Sequence, residues 1–213
     1  MTEGDLRYAA TAVLLRASRG RIETLMLERP DRGNFAGMWV FPGGKIDAED
    51  AGDDLVERAR SAAVRETREE VALELDPDEL LLQARWTPAA DRPLRFRTWF
   101  FLARDPGGPI ATDPGEVVDA AWLRPADALE RHAAGGLLLA PPTWVTLHTL
   151  ARHDDIDDLL EATRARGVRH FDTHLHGQIL LWEGDGEYPG GDGGPRRHRF
   201  DRSSLPWAYI ADD

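Results

Sequence analysis

Cysteine is absent from the 213-residue chain, which excludes disulfides, thiol catalysis and zinc sites built from thiolates. Any metal must be held by oxygen or imidazole. Long apolar runs are also missing: none approaches a membrane span, and residues 1–7, with Glu3, Asp5 and Arg7, carry no apolar stretch. A soluble cytoplasmic protein is expected. Basic charge is scarce. Lys and Arg number 26 against 38 Asp and Glu, a net charge of −12, so the surface as a whole repels phosphate backbones and acidic membrane faces. Neither nucleic acid nor a membrane is an expected partner. What is present, 42% apolar and 30% charged residues at this length, suits one globular domain, or one domain with an appendage, that buries a sizeable core.

Residues 8–16 (YAATAVLLR) and 21–28 (RIETLMLE) are rich in aliphatics and flank Gly20, the pattern of a strand hairpin. A short strand, 39–41, runs into Pro42-Gly43-Gly44, expected as a turn or loop. Residues 55–71 lack Gly and Pro, are rich in Ala, and follow Asp53 and Asp54 as candidate caps, which predicts a helix. Leu94, Phe96, Thr98, Phe100 and Leu102 alternate with Arg95, Arg97, Trp99 and Phe101, predicting a long strand with one well-buried face. A short strand, 120–123, and a helix opened by Pro125, 125–132, follow. Past Gly135 the composition shifts. Helices are expected at 143–153 and, after the Asp-rich 154–158, up to 166; strand-like pieces at 168–174 and 178–182 precede a Gly-rich stretch, 184–194, expected to be mobile. The class is α+β: a layered α/β/α core over residues 1–135 with a mixed sheet, and a C-terminal extension, 136–213, of helices and short strands packed on it.

At 100° per residue, Leu55, Ala59, Ala62 and Ala63 form a narrow stripe that faces a sheet. The same stripe continues into Glu66, Glu69 and Glu70. Two carboxylates about 4 Å apart repel by roughly 4 kcal/mol at an effective dielectric near 20, and the negative end of the helix dipole adds to the cost. Something positive must sit there. A hard divalent cation such as Mg²⁺ or Mn²⁺, which takes oxygen ligands and shares its shell with substrate phosphates, meets that need. The plainer alternative is a solvated helix end with Arg65 and Glu69 as an i,i+4 pair. Gly43-Gly44 after a strand favours the metal, because bare backbone can approach a cation or phosphate closely.

Gly44, Glu57, the run Arg65-Glu66-Thr67-Arg68-Glu69-Glu70 and Leu73, preceded by Phe41-Pro42-Gly43-Gly44-Lys45, resemble the box of the Nudix hydrolase family. That box reads Gly, five residues, Glu, seven residues, Arg-Glu, an apolar residue, any residue, Glu-Glu, any residue, Gly, apolar. The resemblance implies the Nudix α/β/α sandwich, Glu66, Glu69 and Glu70 as the carboxylates that hold Mg²⁺ or Mn²⁺, and the Gly43 carbonyl as a further ligand. It also gives Arg65 the task of orienting the glutamates by charge-assisted hydrogen bonds. The chain departs from the box in three ways. Twelve residues, not five, separate Gly44 from Glu57, so an acidic insertion near 48–54 lengthens the loop. Glu57 lies about 180° from Glu66 on a continuous helix, so it is read either as a supporting residue or as a surface glutamate. Thr67 and Ala72 replace the apolar residue and the glycine, and Ala72 bears on how the helix ends.

The implied reaction is metal-assisted hydrolysis of a nucleoside diphosphate linked to another group. A general base comes from a box glutamate or from a later loop, where Glu116 in Pro114-Gly115-Glu116-Val117 is the candidate. Phe35-Ala36-Gly37-Met38-Trp39-Val40-Phe41, the lengthened box loop and Leu139-Ala140-Pro141-Pro142-Thr143-Trp144 resemble the coenzyme A and acyl-coenzyme A diphosphatase branch. That branch implies phosphopantetheine and adenosine 3′,5′-bisphosphate as products. Arg29 and Arg32 are candidates for the extra 3′-phosphate, and Gly44 for backbone contact with the substrate. Trp39 and Trp144 are candidates for an adenine or acyl pocket, with a core role as the alternative for each. Other substrates of the same chemistry are ADP-ribose, a dinucleotide or a nucleoside triphosphate; a nucleotide-sensing, non-catalytic module is the alternative of another class. The partner is thus a small nucleotide-containing diphosphate, and the resemblance leaves a homodimer open. His174 and His176 share a strand face near His170, the spacing of an imidazole metal pair, with local packing as the alternative. Arg196-Arg197-His198-Arg199 reads as a solvated basic edge.

Overall fold

The computed structural model describes residues 6–33, 35–90 and 95–212. Strand β1, Leu6–Ser18, and β2, Arg21–Glu28, form the expected hairpin, with Arg19 and Gly20 both at positive φ in the turn. The short strands β3, Trp39–Val40, and β4, Gly43–Lys45, follow. Here the expected loop is strand: Thr11, Ala10 and Ala9 of β1 pair antiparallel with Gly43, Gly44 and Lys45. Helix α1, Leu55–Val71, has the predicted bounds and is capped by Asp54, whose carboxylate accepts from the amides of Val56 and Glu57. A 3-10 turn, Pro77–Glu79, leads to β5, Leu81–Thr87, a strand that the periodicity did not reveal. Strand β6, Arg95–Arg104, pairs antiparallel with β5 and parallel with β1; Leu94, the first residue of the predicted alternation, lies outside the described residues, as do Glu3 and Asp5.

Strand β7, Asp119–Leu123, returns to β2, and helices α2, Pro125–Ala133, α3, Pro141–Leu150, and α4, Ile156–Arg166, come next. Strand β8, Arg169–Asp172, runs parallel to β5 and so extends the sheet with a strand from the C-terminal part of the chain. The described strands of this mixed sheet lie in the order β3-β2-β1-β6-β5-β8, with β4 on β1 and β7 on β2. A smaller antiparallel sheet holds β9, His174–His176, β10, Ile179–Leu181, β11, His198–Asp201, and β12, Ala208–Ala211.

The large sheet is covered on both faces, and the side-chain alternation shows it. Along β1, Val13 and Leu15 enter one apolar cluster while Ala10, Ala12 and Leu14 enter the other. In β6, Phe100 and Leu102 face the first cluster, and Trp99, Phe101 and Ala103 the second. The expectation of a single buried face for this strand is therefore corrected: a central strand sandwiched between layers is apolar on both sides. Ala59, Ala62, Ala63 and Val71 of α1 complete the second cluster; α3, α4 and the small sheet complete the first through Val145, Leu147, Leu159, Leu180, Trp182 and Phe200. This is the layered α+β arrangement, with α1 the α-helix on one side among the described residues. Among the described residues no helix is long and apolar enough to cross a membrane.

The Gly-rich stretch expected to be mobile is folded on itself. Gly186 N–H donates to the Arg196 carbonyl at 3.0 Å and Gly193 N–H to the Gly186 carbonyl at 2.9 Å. The anchor is Asp185, 2% exposed. Its Oδ2 accepts from Arg199 Nε at 2.7 Å and from the His198 amide at 2.9 Å, and its Oδ1 from Arg199 Nη2 at 2.6 Å and the Glu187 amide at 2.9 Å. Arg199 is accordingly no part of a solvated edge.

Candidate active site

Packing of the small α1 residues on the sheet brings the last turns of the helix against β4. Gly43 and Gly44 make the approach feasible. A Cβ at Gly43 would collide with the backbone of β1, and one at Gly44 would overlap the carboxylate of Glu66. Gly43 is thus a steric requirement of the β1 pairing, and Gly44 of the Glu66 carboxylate beside it.

Glu66, Glu69 and Glu70 share this end of the helix but differ in surroundings. Glu70 is buried, with a side chain 1% exposed. Its Oε2 accepts from the Gly43 amide at 2.8 Å, and its Oε1 is in ion-pair contact with Arg29. Burial pushes its pKa up to about 7, with Arg29 and the Gly43 amide opposing. Glu66 is also raised by burial; Arg65 opposes this, while the charges of Glu69 and Glu116 add to it. Glu69 is half exposed and accepts from Arg65 Nη1 at 3.0 Å.

Arg65 is the hub of the hydrogen bonds at this end of the helix. Its Nη1 donates to Glu66 Oε1 at 2.8 Å as well as to Glu69, its Nη2 to the Lys45 carbonyl at 2.9 Å, and its Nε to Asp50 Oδ1 at 2.9 Å. Asp50 is a residue that sequence reasoning missed. It lies in the acidic insertion, is 8% exposed, and accepts from the Asp47 amide at 2.7 Å and from Arg65 Nη2 at 3.1 Å. Burial would raise its carboxyl, yet the Arg65 and Asp47 hydrogen bonds outweigh this and hold it below the usual range. The hydrogen bond from Arg65 to Asp50 in turn is the largest cause of a guanidinium pKa raised further above its ordinary value. The longer loop therefore folds back to lock the arginine that bridges Glu66 and Glu69.

Other candidates fall in two groups. Arg29 sits inside the site: besides Glu70 it donates from Nη2 to the Gly43 carbonyl at 2.9 Å and from Nη1 to the Glu116 carbonyl at 3.4 Å. Arg32 is exposed and donates to the Gly115 carbonyl at 2.8 Å. Together they tether the loop that carries Glu116 across the end of α1, where the Asp113 amide meets the Glu70 carbonyl at 3.3 Å. Glu116 is brought close enough for its charge to act on Glu66. Trp39 is 6% exposed and packed in the first cluster under Arg131, and Trp144 stacks on His148 at 5.2 Å and meets Phe200 edge-on. The substrate-contact reading of Trp39 is corrected to a core role, because its ring is enclosed between the sheet and α2. Glu57 accepts from the Asp53 amide at 2.7 Å and supports the start of α1. His170, His174 and His176 are exposed.

The residues fit a hard divalent cation by donor chemistry: carboxylate oxygens on one helix face, a backbone carbonyl opposite, and a glycine cradle shaped to one carboxylate. Among the described residues no three acidic or imidazole groups already converge on one point. Arg65 and Arg29 supply the positive charge that the glutamates require, and a cation would have to share those oxygens with them.

Beside the carboxylates a cleft of about 300 Å³ opens. Arg29, Gly43, Gly44 and Lys45 form its polar end, and Phe35, Val40, Phe41, Phe96, Phe100 and Pro142 its apolar walls. A second compartment of about 280 Å³ shares Phe35, Phe96, Thr98, Ala140 and Pro142 with it and continues to Leu175 and Leu180 of the small sheet. The two segments singled out above, at 35–44 and 139–144, meet here: Met38 bridges Leu138, and the Trp39 amide donates to the Leu138 carbonyl at 2.9 Å.

The NUDIX domain family model matches residues 5–139. Among solved structures, a NUDIX hydrolase from Alicyclobacillus acidocaldarius is 26% identical with a TM-score of 0.66, over 74% of this chain and 96% of that one. A MutT NUDIX hydrolase from Burkholderia pseudomallei is 25% identical with a TM-score of 0.50, over 68% and 97%. The NUDIX domain of Shewanella oneidensis NrtR, solved with ADP ribose, is 20% identical with a TM-score of 0.52, over 78% and 90%, a likeness of fold alone. No curated protein matches the chain.

Proposed function

We infer the substrate and the roles of the side chains from one premise: the chain belongs to the Nudix family, whose domain spans more than half of it. It is a pyrophosphohydrolase acting on nucleoside diphosphate derivatives. The substrate we propose is coenzyme A or acyl-coenzyme A, cut at its diphosphate to give a phosphopantetheine product and adenosine 3′,5′-bisphosphate. The observation that carries this reading is the convergence of the 35–44 and 139–144 segments on one cleft, polar beside the glutamates and apolar beyond. A diphosphate has its place at the Gly44 and Lys45 end, and an acyl-pantetheine arm along Phe35, Phe96 and Pro142.

Glu66, Glu69 and Glu70, with the Gly43 carbonyl, would hold Mg²⁺ or Mn²⁺. Such a cation neutralises diphosphate oxygens and lowers the pKa of a bound water. Arg65 bridges Glu66 and Glu69 through one nitrogen and so holds their carboxylates in register. Arg29 fixes Glu70 and the Gly43 carbonyl in mutual register, and so acts on the ligands instead of on a distant phosphate. Glu116, exposed on a loop tethered by Arg29 and Arg32 and near enough for its charge to act on Glu66, takes the proton of the attacking water. The Gly44 backbone and Lys45 line the phosphate end of the cleft and contact the substrate there.

The test incubates the wild type and Glu69→Gln with coenzyme A, an acyl-coenzyme A, ADP-ribose, a dinucleotide and a nucleoside triphosphate, each with Mg²⁺ or Mn²⁺. Adenosine 3′,5′-bisphosphate as product, lost by at least about 100-fold in the variant, roughly 2.7 kcal/mol of transition-state stabilisation, is the expected result. AMP with ribose phosphate, or free pyrophosphate, as the main product would overturn the substrate.

A further inference from the structure

Helix α3 walls two cavities of opposite character. Pro142 and Thr143 at its start line the hydrolytic cleft, and His148 and Thr149 at its end line a polar cavity of about 460 Å³ between α3, α4 and the small sheet. Ten residues make the helix about 15 Å long, so the two cavities are neighbours that share no lining residue.

In a chain of net charge −12, this second cavity is ringed by arginine. Arg152, Arg166, Arg169 and Arg196 line it, from the end of α3, the end of α4, β8 and the loop before β11. Among the described residues no carboxylate forms an ion pair with Arg152, Arg166 or Arg196. Arg169 is fixed differently: it donates to the Tyr209 hydroxyl, lies 3.4 Å from His198 Nε2, and stands over the Phe171 ring at 4.7 Å. The acidic residues of the lining are Glu183 and Asp212, and Asp212 already accepts from the Arg197 amide at 2.6 Å. The imidazoles register the imbalance. Burial, with the charges of Arg166 and Arg152, holds His153 below its ordinary pKa against the opposing charge of Asp158; burial and Arg152 do the same to His148.

We propose that this cavity is a second ligand site, separate from the hydrolytic cleft, that binds a phosphate-bearing small molecule. Four guanidinium groups lining one cavity against two carboxylates leave an excess of positive charge, and an anion that accepts from several of them relieves the cost. Their planar forks match tetrahedral phosphate oxygens in pairs. The volume is that of a small-ligand site. Tyr209 and His148, 5.8 Å apart and edge to face, give the cavity aromatic surface against which a nucleoside could rest. The sequence cluster 196–199 is thereby divided: Arg196 and His198 face the cavity, while Arg199 is consumed by Asp185.

The experiment is titration calorimetry in EDTA, so that turnover and cation-dependent binding in the cleft are absent, with pyrophosphate and AMP as separate probes. The wild type binds pyrophosphate, the doubly charge-reversed Arg152→Glu/Arg166→Glu protein binds it at least about tenfold more weakly, and Glu69→Gln binds like the wild type. Both reversed side chains are exposed. Should that protein fail to fold, Arg196→Ala, on a separate loop, must weaken binding on its own. AMP binding tighter than pyrophosphate identifies a nucleotide; the reverse order identifies an inorganic polyphosphate. No heat with millimolar pyrophosphate or AMP, equal affinity in wild type and arginine variants, or loss only in Glu69→Gln would overturn the site. None of these results depends on whether coenzyme A is hydrolysed.

Discussion

Two buried charge networks sit at opposite ends of the chain, and they are built on opposite principles. Around Asp185, supply meets demand: one carboxylate accepts four hydrogen bonds, two of them from Arg199, and those Arg199 bonds hold its pKa below the usual range. At the end of α1, the carboxylates of Glu66, Glu69, Glu70 and Asp50 share Arg65 and Arg29, and burial raises Glu66 and Glu70. A satisfied network stabilises what it joins. An undersupplied one carries an energetic cost whose justification is chemical: its excess negative charge is what a cation sharing those oxygens would neutralise.

The comparison breaks first at Asp185. Its replacement by Ala leaves Arg199 with only the more exposed Glu187, 3.2 Å away, as an ion-pair partner and removes the anchor of the 184–194 loop, which costs about 3 kcal/mol. Denaturant unfolding measures this, and turnover per folded molecule stays at the wild-type level. The same carboxylate has a pH signature. Its folded pKa is depressed, so its contribution is complete above about pH 4, the unfolded value, and disappears as acidification titrates it in the folded state. Asp185→Ala must flatten the acid limb of stability against pH; an unchanged limb would show that the pair is not a source of acid sensitivity.

At the α1 end the effect falls on activity instead. Glu70→Gln keeps an acceptor for the Gly43 amide and removes a buried negative charge but gives up the ion pair with Arg29, which retains the Gly43 carbonyl as acceptor, so the cation-free protein loses less stability than Asp185→Ala does. Turnover nevertheless drops by at least about 100-fold, roughly 2.7 kcal/mol. Mg²⁺ or Mn²⁺ at a hundred times its dissociation constant stabilises the wild type by about 2.7 kcal/mol, seen as a raised thermal midpoint, and the variant shows little of it. Marked destabilisation of Glu70→Gln without cation would make this network structural as well, and erase the contrast.

How much of each region was legible follows from how local its cause is. The glutamates, their helix and the glycines opposite them are written in short spacing and a 3.6-residue period, and the helix bounds emerged residue for residue. Asp50 was hidden because its role depends on how the inserted loop folds, although an acidic run ahead of a conspicuous arginine was a usable signal. Trp39 kept two readings, pocket and core, because a tryptophan beside a site motif carries no sign of which way its ring turns. Strand β4 was missed because Gly43 and Gly44 suit both a turn and an edge pairing, and only β1 decides between them. The Asp185 network was illegible altogether: it joins residues fourteen apart across a glycine-rich loop, and no periodicity announces such a partner.

The smallest expected effect tests whether the strain at the α1 end extends from charge to backbone. Ala72 closes the helix in the left-handed region, φ 58° and ψ 29°, with its amide donating to the Arg68 carbonyl. A Cβ in that conformation costs about 1–2 kcal/mol, whereas glycine adopts it freely but loses about 0.4–1 kcal/mol more backbone entropy on folding. Ala72→Gly therefore gains about 0.5–1 kcal/mol by the difference. Denaturant unfolding resolves this, and turnover should be unaltered, since Glu69 and Glu70 lie before the cap and keep their helical positions. If the variant instead becomes less active while more stable, the left-handed alanine is part of how the carboxylates are aimed, and the cost borne at this end of the chain is conformational as well as electrostatic.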